Sequence, residues 1–274
     1  MTTNVGIIGF GIIGQAVYKL FNEKIPLYIY DPVSHPFTAV RGVCVSSEES
    51  AKPYLDKCDI TFVCVPTPHD EYNGLDMSII EESIQKFDSK IFVISSALQP
   101  GTADRLSKKY NKRIVVQPEY YGETIAHPLV EMAQQRFLIL GGKSKDVDEV
   151  INLYKDVYNA NTKIRKVTAL EAEVIKLSEN RAISYKVLQC QELYDVCVSA
   201  GVDYNVIREA VYGDDPRFNL WWTFIYENCR GLTSKCLPKD LYGWHKWATD
   251  NNIDPKLSHS LLEYNKKLVE KNKE

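Results

Sequence analysis

Hydrophobic and polar positions follow two different patterns along the chain. In the first part, short apolar runs rich in β-branched residues are separated by amphipathic stretches. The runs that we interpret as strands cover residues 5–9, 27–30, 59–65, 91–95, 114–117 and 137–140. Strands that alternate with helices in this way predict an α/β fold, a Rossmann-type doubly wound and mostly parallel sheet.

Beyond about residue 167 the strand pattern stops and helical periodicity takes over. Thr168 and Glu171 have the spacing of a capping box, and no proline or glycine follows until Gly201, so we predict a helix over 168–200. At 1.5 Å per residue this helix is about 50 Å long, and we expect it to span between domains or to pair with another subunit. Shorter helices are predicted over 203–212, 238–251 and 255–271. We therefore expect a sheet domain over 1–167 and an all-α domain, built on the long helix, over 168–274.

Charge and composition exclude several classes of partner. The 33 basic and 36 acidic residues give no electrostatic reason to bind nucleic acid. We find no basic leader and no apolar run of about 20 residues, so we expect a cytoplasmic protein with no membrane contact. The seven cysteines and five histidines lack the spacings of metal sites, and we predict no metal.

A glycine pattern follows the first strand. Gly9 permits a tight turn, Gly11 lets a pyrophosphate approach the backbone, and Gly14 lets the next helix pack closely on the strand. That helix is predicted over 11–22, and its N-terminus, with Ile12 and Ile13, offers free N–H groups to phosphates. The loop therefore predicts a dinucleotide site.

Asp31 ends the second strand about 20 residues after the glycines, where such a site needs an acid for the ribose hydroxyls. Its charge would repel a 2′-phosphate, and no arginine follows it to accept one. We therefore predict NAD rather than NADP. The alternative is an ordinary strand-end aspartate in a Rossmann-like fold that binds no cofactor.

Several further segments match one family in order along almost the whole chain. They are the glycine loop, Val65-Pro66-Thr67-Pro68, Ser95-Ser96 with Pro100-Gly101-Thr102, Pro118-Glu119-Tyr120-Tyr121-Gly122-Glu123, residues 136–142, residues 173–180, Asp215-Pro-Arg217 and Cys236-Leu-Pro-Lys239-Asp240. On these segments the sequence resembles the UDP-glucose/GDP-mannose dehydrogenases, which oxidise C6 of a nucleotide sugar twice with two NAD.

The resemblance implies roles for residues of the cofactor site. Pro66, Thr67, Ser96, Glu123 and Lys239 are expected to bind NAD, with Thr67, Ser96 and Glu123 near its nicotinamide end. Ser96 stands where the family usually has threonine, which is a mild change.

The resemblance also implies a catalytic set. Lys176 and Asn180, four residues apart on one helix, would hold the reacting oxygen. Asp240 would work with the lysine and a water to accept the proton of the alcohol. Cys236 would be the nucleophile of the second oxidation, and Glu119 would assist hydrolysis of the thioester.

Substrate and subunit contacts are implied in the same way. Arg217 matches an arginine that reaches the sugar of the neighbouring subunit, and Tyr120 and Tyr121 are expected near the substrate. Because the family dimerises through the long helix, the resemblance implies a homodimer.

Two departures from the family bear on the substrate. The family continues into a second Rossmann-like domain that grips the nucleotide, and we interpret the chain as a truncated form lacking this domain. The family's Gly-Phe-Gly-Gly-Ser-Cys approach to the nucleophile reads Gly231-Leu-Thr-Ser-Lys235-Cys236 here. The chain could act on a smaller sugar-like alcohol, borrow the domain from a partner chain, or bind NAD without turnover.

Three functions therefore remain open. The first is oxidation of a nucleotide sugar or related sugar through Cys236. The second is a two-domain hydroxyacid dehydrogenase that uses Lys176 and Asn180 without a thiol. The third is a non-catalytic NAD-binding relative. Loss of Cys236 separates the first function from the second.

Overall fold

A computed structural model describes residues 3–33, 42–70, 73–120, 135–155, 157–158 and 160–272. Contacts within the chain divide it into two compact units. Unit 1 comprises Met1–Pro68 and Asp76–Lys176, and unit 2 comprises His69–Leu75 and Leu177–Glu274. The division falls inside one long helix, so this helix contributes residues to both units.

Among the described residues, unit 1 is built on an eight-stranded sheet. Its strands are β1 (Val5–Ile8), β2 (Leu27–Tyr30), β3 (Gly42–Val45), β4 (Ile60–Val63), β7 (Ile91–Ile94), β8 (Ile114–Val116), β9 (Phe137–Gly142) and β10 (Lys163–Val167). Two further short strands, β5 (His69–Asp70) and β6 (Gly74–Leu75), belong to unit 2. Their order is β10-β9-β8-β7-β4-β1-β2-β3, and every pair is parallel except β8 with β9. The predicted doubly wound, mostly parallel sheet is confirmed.

All six predicted strands are present, with ends that differ by at most two residues from the prediction. The central strands β1, β4 and β7 are buried along their whole length, because helices cover both faces of a doubly wound sheet. Their sequences are consequently near-continuous apolar runs. The sequence did not predict β3 and β10, which form the two edges of the sheet. β10 is largely exposed and carries three charged residues, which discourage pairing with other chains and also remove the apolar run. β3 is a partly buried apolar strand of only four residues, Gly-Val-Cys-Val.

The described helices of unit 1 pack on this sheet. They are α1 (Ile12–Phe21), α2 (Glu48–Leu55), α3 (Ser78–Lys86), α4 (Thr102–Tyr110) and α5 (Ser144–Tyr154). Phe21 of α1 packs against Phe62 of β4 and Tyr154 of α5, with ring centres 5.9 and 5.8 Å apart. A buried side chain of this size contributes about 1.5–3 kcal/mol through the area removed from water. This aromatic cluster fixes α1, and with it the loop that precedes α1.

The long helix α6 runs over Ala169–Ala200 and agrees with the prediction to within one residue. Its capping box is formed: the Thr168 hydroxyl accepts the N–H of Glu171 at 3.2 Å, and the Glu171 carboxylate accepts the N–H of Thr168 at 2.7 Å. Gly201 follows in the left-handed region with φ +68°, as a residue after a helix end often does.

In the part of unit 2 that the structure describes, the rest of α6 is joined by three further helical segments and a hairpin. The segments are α7 (Tyr204–Arg208) with the π-helix Glu209–Asp214 that continues it, α8 (Leu237–Asp250) and α9 (Lys256–Lys271). The hairpin joins β5 (His69–Asp70) to β6 (Gly74–Leu75). It packs tightly on α8, because a Cβ at Gly243 would lie 2.8 Å from the Leu75 side chain. Within the described residues, no helix has both the length and the apolar character that crossing a bilayer requires.

Candidate active site

The three glycines of the loop after β1 meet different constraints. Gly9 has φ +89°, and a Cβ there would lie 2.6 Å from the carbonyl oxygen of Cys64. A Cβ at Gly14 would lie 2.0 Å from the carbonyl oxygen of Gly9. Gly9 and Gly14 are therefore required by the packing of the chain itself. A Cβ at Gly11 would meet nothing within 4 Å, so its missing side chain leaves open space beside the helix start. The prediction from the sequence assigns the pyrophosphate to this position.

The N-terminus of α1 suits an anion. Gly11 is its N-cap, no side chain caps the helix, and the first turn carries no acidic residue. The N–H groups of the first turn have no partner within the helix, and the helix dipole places positive potential at this end. Ile12 and Ile13, the first residues of α1, therefore stand where the prediction assigned the phosphates.

Asp31 directly follows β2 and connects two parts of the predicted site. Its Oδ2 accepts the N–H of Phe10 in the glycine loop at 2.5 Å, and its Oδ1 accepts the N–H of Val33 at 2.8 Å. The carboxylate is thus fixed beside the glycine loop. The loop lies near the boundary between the neighbouring strands β1 and β4, where the strand order of the sheet reverses. This is the edge at which doubly wound sheets bind dinucleotides.

Further predicted cofactor residues follow β4 and β7 at the carboxyl ends of these neighbouring strands. The Ser96 hydroxyl donates to the carbonyl oxygen of Val65 at 2.6 Å, which holds the two loops together. Thr67 is buried, and Pro66 before it is exposed. Glu123 and Tyr121 lie outside the described residues.

Lys176 contacts the segment that follows β8. Its ammonium donates to the backbone carbonyl of Glu119 and lies 5.3 Å from the ring centre of Tyr120. Tyr120 is buried and packs edge-on against Phe137 of β9. Three residues predicted for catalysis and substrate binding therefore meet in unit 1, although the Glu119 atom involved belongs to the backbone.

A second group of predicted residues meets in unit 2. Asp240 is 1% exposed, and its two oxygens accept from the Asn180 amide at 2.5 Å and from the Lys239 ammonium at 2.6 Å. A buried carboxylate needs such partners, because an unpaired charge is costly away from water. Lys239, predicted at the cofactor, thus has Asp240 as a partner.

Cys236 is the N-cap residue of α8 and is exposed. Its carbonyl oxygen accepts the N–H of Asp240 at 3.0 Å, so Cys236 and Asp240 lie one helical turn apart. The Ser234 hydroxyl accepts the N–H of Leu237 at 3.2 Å and satisfies part of the same helix end. The positive end of α8 therefore lies at Cys236.

Arg217 belongs to the loop between the π-helix and α8. Its side chain is 80% exposed and forms an ion pair with Asp215 at 2.6 Å. Its predicted contact is with a neighbouring subunit.

The sequence did not single out His69, which lies on the hairpin of unit 2. Its ring stacks on Tyr242 of α8 with centres 5.3 Å apart. Burial, and then the positive charge of Lys239, lower the pKa of His69, while Asp240 and Asp70 act in the opposite direction. His69 directly follows the matched Val-Pro-Thr-Pro segment, and that position was the available signal.

The doubly wound sheet, the glycine loop and Asp31 define an NAD-binding domain of the dehydrogenase type. The family model "UDP-glucose/GDP-mannose dehydrogenase family, NAD binding domain" matches residues 2–160, and the model of the central domain of the same family matches residues 170–267. The chain therefore belongs to the UDP-glucose/GDP-mannose dehydrogenase family, and NAD is its cofactor.

Individual relatives are distant in sequence and similar in fold. UDP-N-acetyl-D-mannosamine dehydrogenase of Methanocaldococcus jannaschii is 24% identical over 79% of this chain and 52% of its own length. The structure of a UDP-glucose dehydrogenase from Pyrobaculum islandicum has a TM-score of 0.81 at 19% identity and covers 97% of this chain and 68% of its own. The 3-hydroxyisobutyrate dehydrogenase of Mycobacterium tuberculosis has a TM-score of 0.69 at 15% identity and covers 97% and 94%. The chain spans between a fifth and about half the length of the curated relatives it matches.

Proposed function

We propose that this protein is an NAD-dependent dehydrogenase that oxidises a primary alcohol of a nucleotide sugar or related sugar in two steps. The observation that carries the proposal is the cluster in unit 2, in which Asp240 is buried between Asn180 and Lys239, one turn from the exposed thiol of Cys236. Two successive oxidations require a base and a nucleophile, and α8 supplies both. Membership of the family supports the same reaction.

In the first oxidation the hydroxyl proton must leave as hydride departs. Asp240, acting through a water, is the group that accepts it. The ammonium of Lys176 stabilises the negative charge that develops on the oxygen. The hydrogen bond from the Asn180 amide nitrogen to Asp240 fixes the orientation of this amide, so its oxygen is directed away from the carboxylate. NAD, when bound, accepts the hydride.

In the second oxidation the Cys236 sulfur adds to the aldehyde carbon and forms a thiohemiacetal on the protein. Loss of a second hydride leaves a thioester, and water releases the carboxylic acid and restores the thiol, with Glu119 assisting. One alcohol, two NAD and one water thus give one carboxylate, two NADH and three protons. The positive end of α8 favours negative charge at the sulfur and at the adduct oxygen.

The test counts NADH per sugar. Purified protein is given excess NAD and limiting UDP-sugars, GDP-sugars or unlinked sugars, and NADH absorbance is followed to completion. We expect two NADH per sugar, and no more than one after Cys236→Ala. Cys229→Ala is the matched control, because Cys229 and Cys236 are exposed and the other five cysteines are buried. Two NADH from the Cys236→Ala protein would refute the thiol mechanism.

A hydroxyacid dehydrogenase is the second candidate, favoured by the fold shared with the mycobacterial enzyme over 94% of its chain. Lys176 and Asn180 would then polarise the alcohol without the thiol. This function gives one NADH per hydroxyacid, unchanged by Cys236→Ala. If neither sugars nor hydroxyacids give NADH although NAD still binds, the result would support the third function, a non-catalytic NAD-binding protein.

A homodimer forms part of the proposal. The end of α6 and the residues after it carry four exposed valines, Val196, Val198, Val202 and Val206. Exposed apolar side chains over such a short stretch support an interface in this part of the chain. Light scattering at micromolar concentration should give twice the 31.3 kDa chain mass. The chain mass itself would rule the dimer out.

A further inference from the structure

A buried carboxylate in unit 1 has no part in the proposed chemistry. Glu173 lies on α6, one turn before Lys176, and is 1% exposed. Its Oε2 accepts the N–H of Gly101 at 2.6 Å, and its Oε1 accepts the N–H of Ala103 at 2.8 Å. Both donors stand at the start of α4, where N–H groups lack partners within the helix. One side chain of α6 thus caps another helix.

The start of α6 is held at a second point by close packing. A Cβ at Gly141 of β9 would lie 2.5 Å from the Ala172 Cβ and 2.6 Å from the carbonyl oxygen of Thr168. Helix and strand therefore touch without room for a side chain. The close contact with Gly141 and the hydrogen bonds of Glu173 to α4 together leave the first turns of α6 little freedom to rotate or slide.

Lys176 is three residues beyond Glu173, on the neighbouring position of the same helix face. Its ammonium rests on the Glu119 carbonyl and against the Tyr120 ring, so a small rotation of α6 would break both contacts. We propose that Glu173 is a positioning residue that docks α6 on the N-terminus of α4 and thereby holds the ammonium of Lys176 on the Glu119 carbonyl. Its bearing on catalysis rests on the function proposed for Lys176.

The docking depends on the charge of Glu173. Burial raises the pKa of this carboxyl to about 7, with a smaller contribution from Asp104 on α4, against the two N–H groups that lower it. Because the buried, docked position raises this pKa above that of an exposed glutamate, a bound proton stabilises the docked state, and loss of the proton weakens it. Of the other charged groups nearby on α6, Glu171 is exposed and bonded to Thr168, and Lys176 is held at Glu119. The ammonium of Lys176 should therefore be released more often above about pH 7.

The test measures how readily an amine reagent reaches Lys176, which needs no substrate. Protein is treated with a limiting acetylating reagent, and mass spectrometry gives the acetylation rate of Lys176 relative to the exposed Lys163 of β10. The variants are Glu173→Gln and the matched control Glu171→Gln, an exposed glutamate two residues earlier. The ratio cancels the general effect of pH on lysine reactivity.

We expect Glu173→Gln to raise the ratio roughly tenfold or more, as follows when one hydrogen bond to a charged group is lost, and Glu171→Gln to leave it unchanged. The wild-type ratio should rise as pH rises through 7, whereas the Glu173→Gln ratio should stay flat. A wild-type ratio that is constant between pH 6 and 8.5 overturns the proposal, even if Glu173→Gln fails to fold. If the ratios behave as expected and no sugar is oxidised, the proposed function fails and the positioning role stands.

Discussion

Replacing Asp31 by asparagine tests which residue makes the protein prefer NAD to NADP. The carboxylate accepts two backbone N–H groups, from Phe10 at 2.5 Å and Val33 at 2.8 Å, and carries a full negative charge beside the glycine loop. Asparagine has nearly the same shape but offers one acceptor oxygen and no charge. The change therefore alters the electrostatics of the ribose site more than its geometry.

The expected magnitude follows from the charge. Hydrogen bonds to a charged group contribute about 1.5–3 kcal/mol, so losing this term should weaken NAD binding roughly 10- to 150-fold. In the wild type, a 2′-phosphate about 4 Å from the carboxylate would cost about 4 kcal/mol at an effective dielectric constant near 20. Asp31→Asn removes this repulsion. The NADP affinity should therefore stay constant or rise while the NAD affinity falls.

Isothermal titration of both coenzymes measures the two dissociation constants, and thermal unfolding checks that the loop remains folded. Asp148→Asn is the control, since Asp148 is an exposed residue of unit 1 whose ion pair with Lys166 should contribute little. Equal affinity of the wild type for NAD and NADP would show that Asp31 does not select against the 2′-phosphate. An Asp31→Asn protein that melts normally and binds NAD as tightly as the wild type would refute the predicted role of Asp31 in NAD binding.

Three further predictions concern single residues. Gly11→Ala places a methyl group in open space, so the melting temperature should hold while the NAD dissociation constant measured by titration rises at least about tenfold. Asn180→Ala leaves the buried Asp240 carboxylate with one partner fewer, and urea unfolding should show a loss of about 1–3 kcal/mol. Glu173 has its pKa raised to about 7, so its stabilising contribution is complete below about pH 4.5 and is lost as pH rises to 7. Unfolding free energies measured from pH 5 to 8 should include a fall of about 3 kcal/mol that Glu173→Gln lacks.

The central sheet was predictable because burial on both faces imposes apolar runs on β1, β4 and β7. The edge strand β10 was not, since three of the five residues in its sequence Lys-Ile-Arg-Lys-Val are charged and no apolar run remains. Helix α6 was predictable from Thr168 and Glu171, which act over a single turn. A pattern confined to one helix or strand can be recognised in a sequence. Whether a strand lies at the edge of a sheet depends on the neighbouring elements, which its own sequence does not reveal.

The same distinction applies to the candidate site. Gly9 and Gly14 are required because a Cβ at either position would clash with nearby backbone atoms, so their spacing identifies the loop. The contact of Lys176 with Glu119 uses a backbone carbonyl, which no side-chain pattern reveals. The stacking of His69 on Tyr242 joins residues far apart in the chain through a hairpin with strands of only two residues. Long-range packing places such groups, and the hydrophobic periodicity of the sequence does not indicate it.

The thiol-dependent double oxidation is tested by the number of NADH molecules formed per sugar by the wild type and by Cys236→Ala, with Cys229→Ala alongside. We expect two NADH and a carboxylic acid product from the wild type and from Cys229→Ala, and at most one NADH and no acid from Cys236→Ala. Acid and two NADH from the Cys236→Ala protein would rule out the thiol mechanism, because the second oxidation would then proceed without the thiol.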